Sequence, residues 1–381
     1  MLVTGAAIAR LAAMRTEAPP TRDIPMSEAT DRRKLVTVIA PAYNEAGVLA
    51  RNLGTLVAHL RGLEDRWRWE LLVVNDGSTD DSGKIADAFA ADHPGVRVIH
   101  HPVNMNLGQA LRTGFAHARG DWIVVLDVDL SYEPSHIETL VGTLEATRAH
   151  VVVASPYMKG GQVTNVPFAR LLLSRWANRF LAYFCHHIDL HTITGMVRGY
   201  DRRFLRRLNL KSMSVDINTE IVYKAMLLRG RVVEIPAHLD WTLQRQAGVG
   251  RMSSFRILRG IATYILSGFT FRPFMFFFLP GLVLALASVY IMGWIFWNVG
   301  DYWSAASMVE TGVEHRLSEA VRLLYEQRPH AFMVGGVTMI ASLQLMSLGF
   351  LAFQSKRNFE ELFHLGSPTE GHGDLDGPDA P

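Results

Sequence analysis

Trp122-Ile123-Val124-Val125-Leu126-Asp127-Val128-Asp129 joins an apolar run to two carboxylates. A continuous apolar run of this kind reads as a strand buried on both faces, as in a parallel sheet. Carboxylates spaced i, i+2 fall on one side of an extended strand end, where they can share a divalent cation. Hard oxygen donors suit Mg²⁺ or Mn²⁺, ions that keep waters and take up substrate phosphates. The stretch therefore points to a diphosphate held through a metal by Asp127 and Asp129. Two acidic residues after a strand also occur as a solvated turn, so the neighbouring segments decide between these readings.

Around this stretch, strand and helix patterns alternate. Strands are expected at 35–43, 69–77, 96–101, 122–129 and 150–157, and helices at 45–59, 80–92, 109–118 and 134–147. Repeated β-α units imply a parallel sheet covered on both faces, with ligands beyond the carboxyl ends of the strands. The first strand ends in Pro41-Ala42-Tyr43-Asn44-Glu45 and the second in Asn75-Asp76-Gly77-Ser78-Thr79-Asp80. Glu45 and Asp76 are candidates to accept hydrogen bonds from a base or ribose. Asn44 and Asp80 can equally cap helices. Further on, 168–184 reads as an amphipathic helix carrying Arg170, Arg175 and Arg179, 216–228 as a helix, and 232–242 as a strand.

The chain has 381 residues, 49% of them apolar, and a formal net charge of +2. So small a charge excludes a nucleic-acid partner of the usual basic kind. A single cysteine, Cys185, excludes an intrachain disulfide and a cysteine-based metal site. His186, His187 and His191 lack the partner spacing of a zinc site. Residues 273–300 contain no charged side chain, nor do 331–355, and each run exceeds the roughly 20 residues that cross a bilayer. Trp294, Trp297, Tyr302 and Trp303 gather at one end of the first run, as interfacial aromatics do.

Arg251, Arg256, Arg259 and Arg272 precede the first run without an acid, and Lys356 and Arg357 follow the second. The intervening 301–329 holds five acids against three arginines. This asymmetry places both chain ends in the cytoplasm, in an inner-membrane protein that crosses twice. The expected boundaries are a poorly ordered leader at 1–34, an α/β domain at 35–252 and a juxtamembrane amphipathic helix at 253–272. Spans follow at 273–300 and 330–355 around an extracytoplasmic loop at 301–329, and a tail at 356–381 ends in disorder. Residues 1–14 are interrupted by Arg10 and lack a small-residue cleavage site, so they do not read as a signal peptide, and Met26 is an alternative start.

Three stretches together, 40–45 (APAYNE), 73–82 (VVNDGSTDDS) and 127–134 (DVDLSYEP), resemble the family 2 glycosyltransferases. Further stretches resemble the polyprenol-phosphate glycosyltransferases within that family, including the dolichol-phosphate mannose synthases. These are 106–115 (NLGQALRTGF), 170–180 (RLLLSRWANRF), 194–205 (TGMVRGYDRRFL), 232–236 (VVEIP) and 245–255 (RQAGVGRMSSF). The resemblance covers about residues 35–260, in the family's order.

The resemblance implies a GT-A (Rossmann-like) catalytic domain followed by a two-helix transmembrane hairpin. It implies an inverting transfer of one sugar from a nucleotide-diphosphate sugar, GDP-mannose or a UDP-sugar, to a polyprenyl phosphate, with Mg²⁺ or Mn²⁺ as cofactor. Pro41, Tyr43, Glu45, Asp76 and Asp127 would line the nucleotide sugar, and Asp127 and Asp129 would hold the metal. Arg170, Ser174, Arg245 and Arg251 would take the acceptor phosphate. Asp129, Glu220 and Arg198 fall at positions the family uses in catalysis. The lipid bilayer is a further partner, and the apolar hairpin offers a surface for homo-oligomers.

Three positions depart from the family pattern. Ser155-Pro156 stands where the family often has Gly, Ser/Thr and Arg; Asn106-Leu107-Gly108 replaces a Gly-Leu-Gly turn; and Gly250-Arg251 replaces Ser-Lys. Two alternatives stay open: another lipid or glycan acceptor, or an inactive nucleotide-sugar-binding membrane scaffold. Processive synthases carry Gln-x-x-Arg-Trp, whereas Leu172 precedes Arg175-Trp176 here.

Overall fold

The computed structural model describes residues 33–184, 190–242, 269, 272–303 and 313–366. Residues 1–32 of the expected leader with Met26, Cys185, His186, His187, Arg245, Arg251, the amphipathic stretch 253–268 and the end of the tail lie outside the described residues.

The α/β domain opens with β1 (Leu35–Ala42), α1 (Leu49–Arg61), β2 (Arg68–Asn75), α2 (Ser82–Asp92), β3 (Val96–His100), α3 (Leu107–His117) and β4 (Trp122–Val125). It continues with α4 (Ser135–Thr147), β5 (Val151–Ser155), β6 (Gln162–Thr164), α5 (Phe168–Phe184), β7 (Arg198–Asp201), α6 (Arg202–Arg207), α7 (Ile217–Leu227), β8 (Val232–Pro236) and β9 (His238–Asp240). Seven strands form one sheet in the order β3-β2-β1-β4-β7-β5-β8, and β6 pairs with β9 separately. β1 lies parallel between β2 and β4, with Val38 opposite Leu71 and Val124.

Successive strand residues enter two different cores. Val38, Leu71, Val73 and Val124 cluster with Leu53 of α1 and Leu140 of α4. Ile39, Leu72, Val74 and Val125 cluster with Leu111 of α3 and Ile221 of α7. Burial on both faces is why these strands are unbroken apolar runs.

The sheet is not wholly parallel. β7 runs antiparallel between β4 and β5, with Gly199 opposite both Val124 and Val152. Its sequence, Arg-Gly-Tyr-Asp, carries no apolar alternation, so its extended form comes from its two neighbours. The strand expected over 232–242 divides after Pro236: β8 stays beside β5, and β9 crosses to β6. Proline has no N–H to continue the ladder. α1 begins at Leu49 rather than Glu45; residues 46–48 form a turn that leads into it, with Val48 N and Leu49 N donating to the Glu45 carbonyl at 3.0 and 2.9 Å.

Beyond the domain are α8 (Pro273–Trp303), α9 (Val313–Gln327) and α10 (Pro329–Gly366). Pro273–Val299 and Pro329–Phe363 are long and apolar enough to cross a membrane. Leu286 is 63% exposed and Val289 68%, unlike side chains on a helix in a soluble core. Between the two helices, Ser288 Oγ donates to the Gly335 carbonyl at 2.9 Å, an internal polar link of the kind that joins helices in lipid.

Two features of this region differ from expectation. The loop at 301–329 contains α9, and α10 runs past Ser355 to Gly366. The extension returns to the α/β domain, where Tyr223 Oη donates to Glu360 Oε1 at 3.1 Å. Phe180 of α5 also meets Phe276 of α8 edge-on, with ring centroids 6.3 Å apart.

Candidate active site

β4 stops at Val125, and Asp127-Val128-Asp129 forms a turn rather than an extended strand end. Leu130 N donates back to the Asp127 carbonyl at 3.1 Å, and Leu130 takes φ 54. Val128 between the aspartates is buried, and its carbonyl accepts from Asn52 Nδ2 at 2.9 Å. Asp129 Oδ1 accepts from Ser131 N at 2.9 Å. Anchoring Val128 in the core leaves both aspartates lining one cavity of about 360 Å³.

Electrostatics mark this corner. Burial, then the charge of Asp129, pushes the Asp127 carboxyl up to about 7, against the pull of Arg170. Glu45 is also held above its ordinary value, first by burial and then by Asp129 and Asp80. Asp127 and Asp129 in the cavity and Glu45 beside it thus crowd negative charge at this corner. Among the described residues no three His, Cys, Asp or Glu side chains converge as a complete metal cage. Asp127 and Asp129 fit instead the sparse mode, in which one or two carboxylates hold the ion and waters and phosphate oxygens complete its shell.

The facing wall is α5. Arg170, Ser174 and Asn178, spaced i, i+4, i+8 on one helical face, all line the cavity. The Arg170 guanidinium lies 4.0 Å from the Trp241 ring centroid, and Ser174 Oγ accepts from Tyr157 Oη at 2.8 Å. Asn178 was not anticipated, although its spacing from Arg170 and Ser174 identifies it. Its Oδ1 accepts from Ile193 N at 2.7 Å and Thr194 N at 3.0 Å.

Arg198 holds the same wall from behind. It is fully buried, does not line the cavity, and binds main-chain carbonyls: Gly195 at 2.8 Å, Asn218 at 3.0 Å, and Ile193. Asn178 therefore takes the N–H groups of the 193–195 segment and Arg198 takes its carbonyls. Glu220 is likewise outside the cavity lining. It accepts from Lys211 N at 2.9 Å, Ser212 N at 2.8 Å and Lys224 Nζ at 2.6 Å. These bonds fix the 211–213 segment, whose Met213 carbonyl accepts from Gln109 N at 3.2 Å at the start of α3.

Pro41, Tyr43, Glu45 and Asp76 lie at the carboxyl ends of β1 and β2, beside the cavity rather than in its lining. With β2, β1 and β4 adjacent, Asp76, Tyr43–Glu45 and Asp127–Asp129 form a row along one edge of the sheet. The two motif loops clasp each other: Glu45 N donates to Ser82 Oγ at 2.8 Å, and Thr79 N to Asn44 Oδ1 at 2.8 Å. Asp76 is buried, and its Oδ1 accepts from Met105 N at 2.9 Å and His101 Nδ1 at 2.7 Å. Gly77 has φ +65, and a Cβ there would meet the Val103 backbone at 2.1 Å, so the turn admits only glycine. His191 pairs with Glu234 at 2.9 Å, apart from any metal cluster.

The profile of "Glycosyl transferase family 2" matches residues 37–208. The chain is 32% identical over 232 residues to the polyprenol monophosphomannose synthase of Mycolicibacterium smegmatis, covering 58% of this chain and 82% of that protein. It is 32% identical over 225 residues to the undecaprenyl-phosphate mannosyltransferase of Micrococcus luteus, covering 57% and 87%. Among solved structures, glucosyl-3-phosphoglycerate synthase from Mycobacterium tuberculosis, in complex with Mn²⁺, UDP and phosphoglyceric acid, aligns with a TM-score of 0.45 at 19% identity over 62% of this chain and 78% of that one. Identity of this extent over most of two curated enzymes shows that the chain is a glycosyltransferase and belongs to glycosyl transferase family 2.

Proposed function

We propose that the protein moves one sugar from a nucleotide-diphosphate sugar to a polyprenyl phosphate. The observation that carries this reading is the cavity in which Asp127 and Asp129 face Arg170 and Ser174 on α5, a helix whose far end packs on the first apolar span. The names of the two relatives, which specify mannose and polyprenyl or undecaprenyl phosphate, support the same acceptor class.

The row from Asp76 through Tyr43 and Glu45 suits the nucleoside, with Pro41 shaping the end of β1. Asp127 and Asp129 would hold Mg²⁺ or Mn²⁺ against the diphosphate, and the bound ion supplies charge stabilisation for the leaving group. Arg170 and Ser174 suit the acceptor phosphate, with Arg245 and Arg251 assigned to the same task. That phosphate is already anionic near neutral pH, so the site needs alignment and charge compensation more than a general base. Its oxygen attacks the anomeric carbon, the bond to the diphosphate oxygen breaks, and the nucleoside diphosphate leaves with the electron pair, inverting the centre. Arg198 and Glu220 support the walls rather than touching substrate. The positive flanks of the spans favour an inner-membrane protein whose catalytic domain faces the cytoplasm.

The test is a donor screen. Pure protein in detergent with Mn²⁺ is given a short polyprenyl phosphate and labelled GDP-mannose, UDP-glucose or UDP-N-acetylglucosamine in turn. An organic-extractable labelled lipid from one donor, lost on chelation, supports the reading and names the sugar. A labelled product only with a non-polyprenyl acceptor overturns the acceptor assignment.

A further inference from the structure

A second cavity, of about 400 Å³, lies at the opposite end of the sheet from the aspartates. Its wall includes Trp122, the first residue of β4, whereas Asp127 follows that strand's last residue. Lys34, Arg148, Arg203 and Arg207 line it with His150, against only two carboxylates, Glu145 and Asp201.

The cations are not spent on one another's neighbours. Within 4.0 Å, none of the four has an acidic partner among the described residues. Asp201 uses an oxygen to cap α6, accepting from Phe204 N at 2.8 Å. Lys34 rests on the Trp122 ring, 4.2 Å from its centroid. Arg207 Nε is buried without a hydrogen-bond partner, an arrangement that proteins rarely leave unanswered.

His150 adds a donor of defined direction. Its Nδ1 accepts from Arg231 N at 2.9 Å, so the ring proton of the neutral form sits on Nε2. The ring is held against Phe204, with centroids 4.4 Å apart. Burial keeps His150 below its ordinary value; Arg207 adds to the effect and Asp201 opposes it.

We infer that this cavity is a binding site for a small phosphate anion, separate from the catalytic cavity. Planar guanidinium forks match phosphate oxygens two at a time, and a dianion in the cavity would neutralise the local excess of positive charge. The phosphate could be free inorganic phosphate or the phosphate of a nucleotide; both present the same oxygens to Arg203 and Arg207.

The experiment is a thermal-shift and calorimetric titration of the full chain in detergent, without metal. Inorganic phosphate and a nucleoside monophosphate are the probes, with chloride at equal ionic strength as control. Phosphate is expected to raise the melting temperature by about 3 °C beyond chloride. The double substitution Arg203→Gln/Arg207→Gln is expected to lower affinity at least tenfold. Equal affinity for the two probes identifies the bare phosphate as the ligand; tenfold tighter nucleotide binding, lost in the same double variant, identifies a nucleotide. A phosphate effect no larger than that of chloride, or one that survives the double substitution, overturns the site. Should the double variant fold poorly, the exposed Arg148→Gln serves instead: severalfold weaker phosphate binding with an unchanged melting temperature in chloride supports the site, and undiminished binding overturns it.

Discussion

Arg170 stacks its guanidinium on Trp241, 4.0 Å from the ring centroid, joining the cavity face of α5 to the segment that leaves β9. The contact helps fix the position of a cation that lines the cavity. Cation–π pairs at partly exposed sites contribute about 1 kcal/mol. Trp241→Ala is therefore expected to raise KM for the polyprenyl phosphate about fivefold, with KM for the sugar nucleotide unchanged. Steady-state kinetics with each substrate varied in turn checks this; an equal rise in both KM values would contradict it.

Asp129→Asn and Asp127→Asn should each lower kcat by roughly two to three orders of magnitude, the usual loss when a group that stabilises a leaving charge is removed. Mn²⁺ should raise the melting temperature of the parent protein, and neither variant should respond. A parent protein whose activity survives exhaustive chelation would contradict the metal assignment.

Arg198 is fully buried with three carbonyl partners. Arg198→Met removes the charge and leaves those carbonyls unpaired in the core. Leaving buried carbonyl acceptors without donors costs about 1–3 kcal/mol each. Urea unfolding of the α/β domain in the detergent-solubilised chain should show a midpoint shift of corresponding size. Full stability with lost activity would instead mean that Arg198 reaches substrate.

Glu220 carries a pH dependence with a definite sign. Burial raises its carboxyl, but the Lys224 ammonium and the N–H groups of Ser212 and Lys211 outweigh this, and it lies below the ordinary glutamate value. A depressed folded value contributes stability that is fully present above the unfolded value and lost as pH falls through the folded one. Glu220→Gln should thus destabilise the protein by about 2 kcal/mol at pH 7, and the gap to the parent should narrow as pH falls through the depressed folded value. Melting temperatures of both proteins between pH 3 and pH 8 test this, and a constant gap would refute it.

Much of this architecture can be read along the chain. The strands at 35, 68, 122 and 151 are apolar because both faces are covered, and the two helices apolar enough to cross a membrane declare themselves by lacking charge. The turn that carries Asp127 and Asp129 is announced by where the apolar run stops, although its shape is not. β7 was illegible because Arg198-Gly199-Tyr200-Asp201 has no strand pattern of its own; β4 and β5 hold it extended. α9 was hidden in a stretch judged by its charges alone. Asn178 was missed because an asparagine within a helix is ordinarily read as solvent-facing.

Periodicity and motif chemistry are local quantities, and from them alone follow the α/β class, the family resemblance, the aspartate pair and the two helices apolar enough to cross a membrane. The cavity walls depend on contacts between residues far apart in sequence. Arg198 finds Asn218, Asn178 finds Ile193, and Tyr223 finds Glu360 across 137 positions only once the sheet has ordered its strands. Whether an arginine meets substrate or braces the wall behind it is set by burial and by which carbonyls packing brings within reach, and neither is encoded in any short stretch of residues.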